Sequence, residues 1–294
     1  MIMKEAIENL PRISIVTPSY NQAQFLERTI ISVLNQGYPN LEYIIIDGGS
    51  TDKSVEIIKK YEKFLTYWVS EPDKGQSDAI NKGFMRTTGE ILAWLNSDDM
   101  YLPSALFKVA NVFKKHPDAA LIYGDYIQVD ANDRCIALKR QPSFDYQVCM
   151  YAYTIAMQPA SFFNRKAFFE VGCIDQNLHY IMDYDLYLRI ARHRNVAQVK
   201  DYLAAFRIHS ASKTELLTKL KIGEKEMCKK HYKKYLHHKP LPGEYFLLHW
   251  YHITRIYLRM LKEGCIVSRF GKDNGPYKLN EIYRPECHNI SEGI

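Results

Sequence analysis

The chain has 294 residues, of which 47% are hydrophobic and 24% charged, and its formal net charge is +6. These proportions are those of a globular protein with one large domain and an appendage, and they exclude disordered and fibrous architectures. The six cysteines form no Cys-x-x-Cys pair, and no apolar run is long enough for a membrane span or a signal peptide, so we expect a cytoplasmic protein with reduced thiols.

The first 118 residues alternate between strand-like and helix-like patterns, which predicts parallel βαβ units. Strands are predicted at residues 12–17, 41–46, 66–69 and 91–95. Helices are predicted after Asn21, which would cap the first of them, and at residues 54–61, 76–86 and 104–115.

After residue 118 the pattern changes to antiparallel pieces. Strands at residues 120–129 and 136–139 flank a polar turn and predict a hairpin, residues 158–163 predict a strand or loop, and residues 183–192 predict a helix. From residue 214 the chain has a basic helical pattern, a second helix is predicted at 245–262, and no regular structure is predicted beyond 264.

The positive charge is concentrated in residues 213–239, where nine lysines stand against three glutamates, a net +6 equal to that of the whole chain. Nucleic-acid binding is not expected, because such an interface spreads basic residues over a groove with interleaved aromatics. Two interpretations stay open for residues 213–262. They could make a peripheral contact with the inner face of an anionic membrane, or they could be helices packed on the domain or on a second copy. The oligomeric state is left open.

The strand at residues 91–95 runs directly into Asn96, Ser97, Asp98 and Asp99. In open α/β sheets the ligand crevice lies outside the carboxyl ends of the strands, and Mn²⁺ or Mg²⁺ prefers carboxylate and phosphate oxygens. The sequence therefore predicts a cation site here. The alternative is that Asp98 or Asp99 caps the helix that follows Pro103.

Two further acids follow the second strand. Asp47 would reach the same sheet edge, where a carboxylate can accept from the imide N–H of a pyrimidine or from a ribose hydroxyl, whereas Asp52 is a good N-cap for the next helix. No Gly-x-Gly-x-x-Gly or Gly-Lys-Ser/Thr loop is present, which argues against a dinucleotide cofactor or a P-loop ATPase.

Two acids also begin the predicted helix at 183–192. Asp183 or Asp185 could act as a general base toward a hydroxyl, although favourable interaction with the helix dipole would account for one of them. His209 could be a metal or phosphate ligand, but a lone histidine is more often structural.

Taken in order, these stretches resemble the family 2 glycosyltransferases of the GT-A, or nucleotide-diphospho-sugar transferase, fold. The resemblance is carried by residues 16–21, 46–52, 74–75, 79–83, 89–91, 96–99 and 183–189. It implies an α/β fold with a mostly parallel, Rossmann-like central sheet, a small antiparallel part and a helical C-terminal extension. The implied catalytic domain is 1–212, with a nucleotide-sugar part at about 11–118 and an acceptor part at about 119–212, and the extension is 213–294.

By the same resemblance, the chain would transfer a sugar with inversion from a nucleotide-sugar, a UDP-sugar in particular, helped by Mn²⁺ or Mg²⁺. The acceptor would be a hydroxyl of a glycan or lipid-linked molecule in surface polysaccharide synthesis. The implied nucleotide-binding residues are Pro18, Tyr20, Asp47, Lys74, Asp78 and Asp98. The implied metal ligands are Asp99 first, then Asp98 and His209, and the implied base is Asp183, with Asp185 as the alternative.

The chain departs from the family pattern at two places. Ser97 stands in place of a first acid, which leaves one metal-binding carboxylate fewer, and Met182-Asp183 stands where the family often has Glu-Asp. Two other functions remain as alternatives. A nucleotidyltransferase would carry a Gly-rich basic loop after the first strand, where this chain has Pro18-Ser19-Tyr20-Asn21. A non-catalytic sugar- or partner-binding module would show no turnover with Mn²⁺.

Overall fold

A computed structural model describes residues 10–151, 154–210, 212–213, 241 and 243–265. The strands are β1 (Ile13–Ser19), β2 (Leu41–Asp47), β3 (Tyr67–Ser70), β4 (Ile91–Trp94), β5 (Met100–Tyr101), β6 (Ala119–Val129), β7 (Cys135–Lys139), β8 (Ser161–Asn164) and β9 (Asn195–Arg207). The α-helices are α1 (Ala23–Leu34), α2 (Ser54–Lys60), α3 (Gln76–Phe84), α4 (Ala105–Lys115), α5 (Tyr146–Tyr151), α6 (Arg165–Glu170), α7 (Met182–Ala191) and α8 (Glu244–Lys262).

These strands form one mixed sheet in the order β3-β2-β1-β4-β8-β6-β9-β5, and β7 pairs with the C-terminal part of β6, residues 126–129. Strands β1 to β4 are mutually parallel, β8 runs antiparallel to β4 and β6, and β9 is parallel to β6. The register pairs Ser19 with Asp47 and Val16 with Trp94, so the carboxyl ends of β1, β2 and β4 meet at one edge. The predicted α/β architecture is confirmed.

Packing on both faces of the sheet explains why β1 and β2 are buried over nearly their whole length. Ile44 and Ile46 belong to the cluster on one face, with α3, α5, α6 and α7, whereas Ile45 belongs to the cluster on the other face, with α1, α2 and α4. The alternation follows the two-residue period of a strand. Burial on both faces fixes the register and with it the edge that holds the polar residues.

Several elements differ from the sequence prediction. Residues 158–163 divide into a 3₁₀ turn, Gln158–Ala160, and the short strand β8, and β5, β9, α5 and α6 were not predicted. The helix predicted at 245–262 is present as α8, whereas the basic helix predicted from residue 214 lies outside the described residues. In the part of the chain that the structure describes, no helix is long and apolar enough to cross a membrane.

One predicted helix cap, and one cap considered as an alternative, are wrong. Asn21 has a left-handed backbone (φ 51°) and does not cap α1; Asp52 does so instead, accepting from the Ala23 N–H at 2.9 Å while its other oxygen accepts from the Ser54 N–H at 2.9 Å. The start of α4 has no side-chain cap, so neither Asp98 nor Asp99 fills that role.

Candidate functional site

A cleft of about 820 Å³ opens at the carboxyl ends of the parallel strands. Its walls come from the end of β1, the loops after β2, β3 and β4, the segment before α7, the end of β9, and residues 212–213. This volume lies within the range of small-molecule sites, and the position is where open α/β sheets bind their ligands. Of the predicted nucleotide-binding residues, Pro18, Tyr20, Lys74 and Asp98 line the cleft.

Asp47 is placed at this edge but does not line the cleft. Its side chain is fully buried, and its carboxylate accepts from the Gly49 and Ser50 N–H groups at 3.2 and 2.8 Å and from the Ser50 and Ser70 hydroxyls at 2.6 and 2.7 Å. The predicted direct contact with a base is therefore not what this structure presents. Asp47 instead holds the loop after β2, because four donors satisfy its charge.

Asp78 also lies behind the cleft rather than in its wall. The carboxylate accepts from the Lys74 N–H at 3.1 Å and from the Gln176 side chain at 3.2 Å, and lies 3.4 Å from the Lys82 ammonium. Burial acts to raise the pKa of Asp78, but the Lys74 N–H and the Lys82 charge outweigh it and lower that pKa. Asp78 is thus a carboxylate that positions the Lys74 loop, and Lys74 itself faces the cleft.

The two adjacent acids after β4 have different environments. Asp99 is 1% exposed; one oxygen accepts from the Arg207 N–H at 2.9 Å and the other from the Asn96 amide at 3.3 Å. Burial, together with the neighbouring charge of Asp98, raises the pKa of Asp99. Asp98 faces the cleft, with one oxygen 3.0 Å from His209 Nε2. Both acids border the cleft, but the more exposed carboxylate is that of Asp98, whereas the sequence prediction placed Asp99 first among the metal ligands.

Asp98 and His209 could together hold a divalent cation. A carboxylate oxygen and an imidazole nitrogen both suit Mn²⁺, and the two atoms lie close enough to bind one ion. The His209 ring is held against Phe25, with ring centroids 4.7 Å apart. Among the described residues no group of three or more His, Cys, Asp or Glu is placed to hold a metal. The pair therefore fits an ion that takes its other ligands from water and a bound diphosphate.

Arg207, at the end of β9, was not singled out by the sequence. Its side chain is fully buried, and it donates to the Asp98 carbonyl at 2.8 Å and the Asp130 carbonyl at 2.9 Å, pairs with Asp133 at 2.5 Å, and lies 4.7 Å from the centroid of the Phe25 ring. The arginine fixes the Asp98 loop against α1 and the turn before β7. A single arginine after a weakly patterned strand carries no sequence signal for such a role.

Lys213 was also missed as a member of the cleft wall. Its ammonium donates to the Gln76 side chain at 2.5 Å and to the His179 carbonyl at 3.2 Å, and Gln76 in turn donates to Asn96 at 2.7 Å. Part of Lys213 reaches solvent, but burial of its ammonium lowers its pKa, which the charges of Asp183 and Asp98 act to raise. The Lys213 ammonium is thus close enough to both predicted functional acids, Asp98 and Asp183, to interact with their charges.

The two acids of α7 are placed differently. Asp185 is fully buried and pairs with Arg189 at 2.7 Å, and Arg189 also donates to the Val171 and Cys173 carbonyls at 2.6 and 2.7 Å. Asp185 is therefore structural here, and its prediction as an alternative base has no support. Asp183, in the first turn of α7, is partly exposed and accepts from the Tyr184 N–H at 2.8 Å. It lies beside the cleft near Lys213, although it does not itself line the wall.

Comparison with known proteins adds a family and a fold. The family model described as "Glycosyl transferase family 2" matches residues 14–172. An uncharacterized glycosyltransferase of Rickettsia typhi is 27% identical over 211 residues, which cover 69% of this chain and 66% of that relative. The structure of S. aureus TarS 1–349 in complex with UDP-GlcNAc has a TM-score of 0.57 at 14% identity, and the match covers 76% of this chain and 71% of the TarS chain. The mannosyltransferase PcManGT from Pyrobaculum calidifontis, solved with GDP-Man and Mn²⁺, has a TM-score of 0.59 at 17% identity, and the match covers 86% of this chain and 71% of the PcManGT chain.

Proposed function

The chain belongs to glycosyl transferase family 2, and from that premise we propose that it transfers a sugar, with inversion, from a UDP-sugar to a hydroxyl. The acceptor would be a glycan or a lipid-linked molecule in surface polysaccharide synthesis. One observation carries the proposal: in the cleft at the end of the parallel strands, the accessible carboxylate of Asp98 lies 3.0 Å from His209, with Lys74 and Lys213 in the same wall.

The cleft offers a separate chemistry for each part of such a donor. Tyr20 is 61% exposed at the wall and presents an aromatic face to a base. Lys74 and Lys213 supply positive charge for a diphosphate. TarS and the mannosyltransferase were solved with UDP-GlcNAc and GDP-Man, which are both nucleoside-diphosphate sugars. These two ligands support the donor class, and the choice of UDP over GDP is part of our proposal.

Asp98 and His209 would hold Mn²⁺ or Mg²⁺ in this cleft. When bound, such a cation supplies Lewis-acid stabilisation of the charge on the departing nucleoside diphosphate. Asp99 contributes indirectly, since its hydrogen bond from the Arg207 N–H fixes the loop on which Asp98 stands. Lys213 donates a hydrogen bond within the wall and adds positive charge where the diphosphate would lie.

Asp183 is the proposed general base. It would take the proton of the acceptor hydroxyl as the acceptor oxygen forms its bond to the anomeric carbon, while the bond to the phosphate oxygen breaks and its electron pair leaves with the nucleoside diphosphate. A single displacement from the opposite face inverts the anomeric centre. The partial exposure of Asp183 beside the cleft favours this role over Asp185, whose carboxylate is held by Arg189.

The donor can be identified by thermal unfolding of the purified full chain with a panel of nucleotide-sugars, with and without Mn²⁺. A ligand at about 100 times its Kd stabilises a protein by about 2.7 kcal/mol, which is an easily measured rise in Tm. We expect UDP-sugars to give the largest rise, and only with the cation. NMR of the product should show the anomeric configuration opposite to that of the donor.

The assay also separates the alternatives. A protein that no nucleotide-sugar stabilises, with or without Mn²⁺, would contradict the proposal. Binding without hydrolysis or transfer to any acceptor would instead favour a non-catalytic sugar-binding module. Formation of a nucleotide-sugar from a nucleoside triphosphate and a sugar phosphate would favour a nucleotidyltransferase.

A further inference from the structure

Helix α8 packs against the protein through a side that mixes polar residues with Ile256, which is 2% exposed. His249 and His252 are 8% and 4% exposed, and they contact α5, where the His249 ring nitrogen hydrogen bonds with the Tyr151 carbonyl at 2.8 Å. The His252 ring stacks on the Tyr151 ring, with centroids 5.0 Å apart. Arg255 and Arg259 both pair with the largely buried Asp145. These polar contacts fix the rotation of the helix about its axis.

The opposite side of α8 is apolar and exposed. Seven large side chains, each between 51% and 69% exposed, lie within less than half of the helix circumference at 100° per residue. They are Phe246, Leu247, Trp250, Tyr251, Tyr257, Leu258 and Leu261. We call these seven residues the outer face of α8. Helix α8 thus has apolar side chains on two sides, with Ile256 in the core and the outer face toward solvent. An exposed apolar surface of this extent is typical of an interaction site.

We propose that the outer face of α8 lies in the interfacial region of an anionic membrane. The four aromatic side chains and three leucines of the outer face match the composition of helices that lie in the plane of a bilayer surface. The residues that precede the helix in the sequence, 214–239, carry eight lysines against three glutamates, a net charge of +5. Each Lys or Arg close to an anionic leaflet strengthens binding, so the charge complements this surface.

The same charge disfavours a second copy of the chain as the occupant. A dimer through the outer face would pair two chains that each have a net charge of +5 in the residues that precede this helix in the sequence, and like charges disfavour association at ordinary ionic strength. An anionic membrane surface would instead attract this positive charge. The proposal therefore names the membrane and makes self-association an outcome of the test.

A membrane at the outer face would also lie near the catalytic half of the protein. Helix α5, which α8 contacts, accepts hydrogen bonds on its Cys149 and Met150 carbonyls from the Tyr184 hydroxyl of α7, at 2.7 and 3.2 Å. Tyr184 is adjacent to Asp183. A lipid-linked acceptor would thus be delivered to the side of the domain that carries the proposed base. This last step rests on the proposed function, whereas the docking itself does not.

The test is flotation of the full chain with vesicles of phosphatidylcholine, alone or mixed with phosphatidylglycerol, without any nucleotide. We expect the wild type to float with the mixed vesicles at low salt and to do so less as salt rises. The variants Trp250→Ser and Leu258→Ser should each bind about tenfold more weakly, because a large apolar side chain leaves the interface. Met85→Ser is the matched control, since Met85 is 70% exposed but lies at the end of α3, away from the outer face.

Trp250 provides a second measurement that does not depend on a variant's stability. It is 51% exposed, whereas Trp94 is fully buried and Trp68 is partly buried in β3. Insertion of α8 should therefore shift the wild-type fluorescence to shorter wavelength, and Trp250→Phe should abolish that shift. A wild type that stays unbound at low salt, outer-face variants that float like the wild type, or equal binding to neutral vesicles would overturn the proposal. A concentration-dependent dimer that Leu258→Ser dissociates, without flotation of the wild type, would overturn it in favour of self-association.

Discussion

Replacement of Arg207 by methionine tests the physical basis of the site. The side chain is fully buried and contacts two separate parts of the chain: the Asp98 carbonyl, and the Asp130 carbonyl and Asp133 carboxylate in the turn between β6 and β7. Methionine fills a similar volume with a flexible apolar chain but donates no hydrogen bond. The perturbation therefore removes polar contacts without opening a large cavity.

The expected loss can be worked from these contacts. Removing one partner of a buried ion pair typically costs about 3–5 kcal/mol, chiefly because the other charge is left uncompensated. Here Asp133 also pairs with Arg28, so it would keep one counter-charge. The main loss is then at two carbonyl oxygens. The Asp98 carbonyl loses its arginine donor, at a cost of about 1–3 kcal/mol, whereas the Asp130 carbonyl keeps the Asp133 N–H at 3.2 Å and loses one hydrogen bond from a charged donor, worth about 1.5 kcal/mol. We expect Arg207→Met to lower the free energy of unfolding by about 3 kcal/mol, at the lower end of the range for a buried pair.

Urea denaturation followed by circular dichroism measures this loss, and the m-value should not change. Arg134→Met is the matched control, since Arg134 is exposed and surface substitutions usually change stability by less than about 0.5 kcal/mol. A loss below about 1 kcal/mol for Arg207→Met would refute the argument that this arginine fixes the Asp98 loop.

Three further predictions follow from the geometry. Asp98→Asn should abolish the Mn²⁺-dependent part of UDP binding in calorimetry, whereas Asp99→Asn should mainly lower stability; the reverse would restore the order of ligands expected from the sequence. Lys213→Met should weaken UDP binding by about tenfold, since a charged hydrogen bond is worth about 1.5–3 kcal/mol, and unchanged affinity would remove Lys213 from the diphosphate site. Burial raises the pKa of Asp125 to about 6, so the folded state holds its proton more tightly than the unfolded state, and the stability that this provides is lost as pH rises from about 4 through about 6. Asp125→Asn keeps the oxygen that accepts from the Gln141 N–H at 2.7 Å but cannot ionise. The difference in urea midpoint between this variant and the wild type should therefore increase, in favour of the variant, as pH rises; a difference that is the same at all pH values would contradict this.

The first half of the fold could be predicted because its signals are local. Each of the strands β1 to β4 is a short apolar run that ends in polar residues, and each following helix has its apolar positions at helical spacing. The burial of Ile44 and Ile45 on opposite faces of the sheet agrees with that pattern. Strand β9 was missed because its burial alternates irregularly and its pairing with β6 contains register shifts. That strand is defined by long-range pairing and not by its own sequence.

The site residues also divide into features that depend on local sequence and features that depend on long-range contacts. The sequence could bring Asp98 and Asp99 to the right edge, but it could not tell which carboxylate is open. That difference depends on Arg207, whose backbone N–H occupies Asp99 from a position 108 residues away. Asp47 was predicted to face a ligand, yet the Ser70 hydroxyl from the end of β3 helps to occupy its carboxylate. The role of each of these acids depends on hydrogen-bond partners that lie far away in the sequence, and a single sequence does not show which residues those partners are.

The most direct test of the central claim is the turnover of Asp183→Asn with the donor identified by thermal unfolding. The substitution keeps the size of the side chain and removes its basicity. Our account predicts that transfer to the acceptor is abolished while the Kd for the nucleotide, measured by calorimetry with Mn²⁺, stays nearly that of the wild type. Turnover equal to that of the wild type would contradict Asp183 as the base.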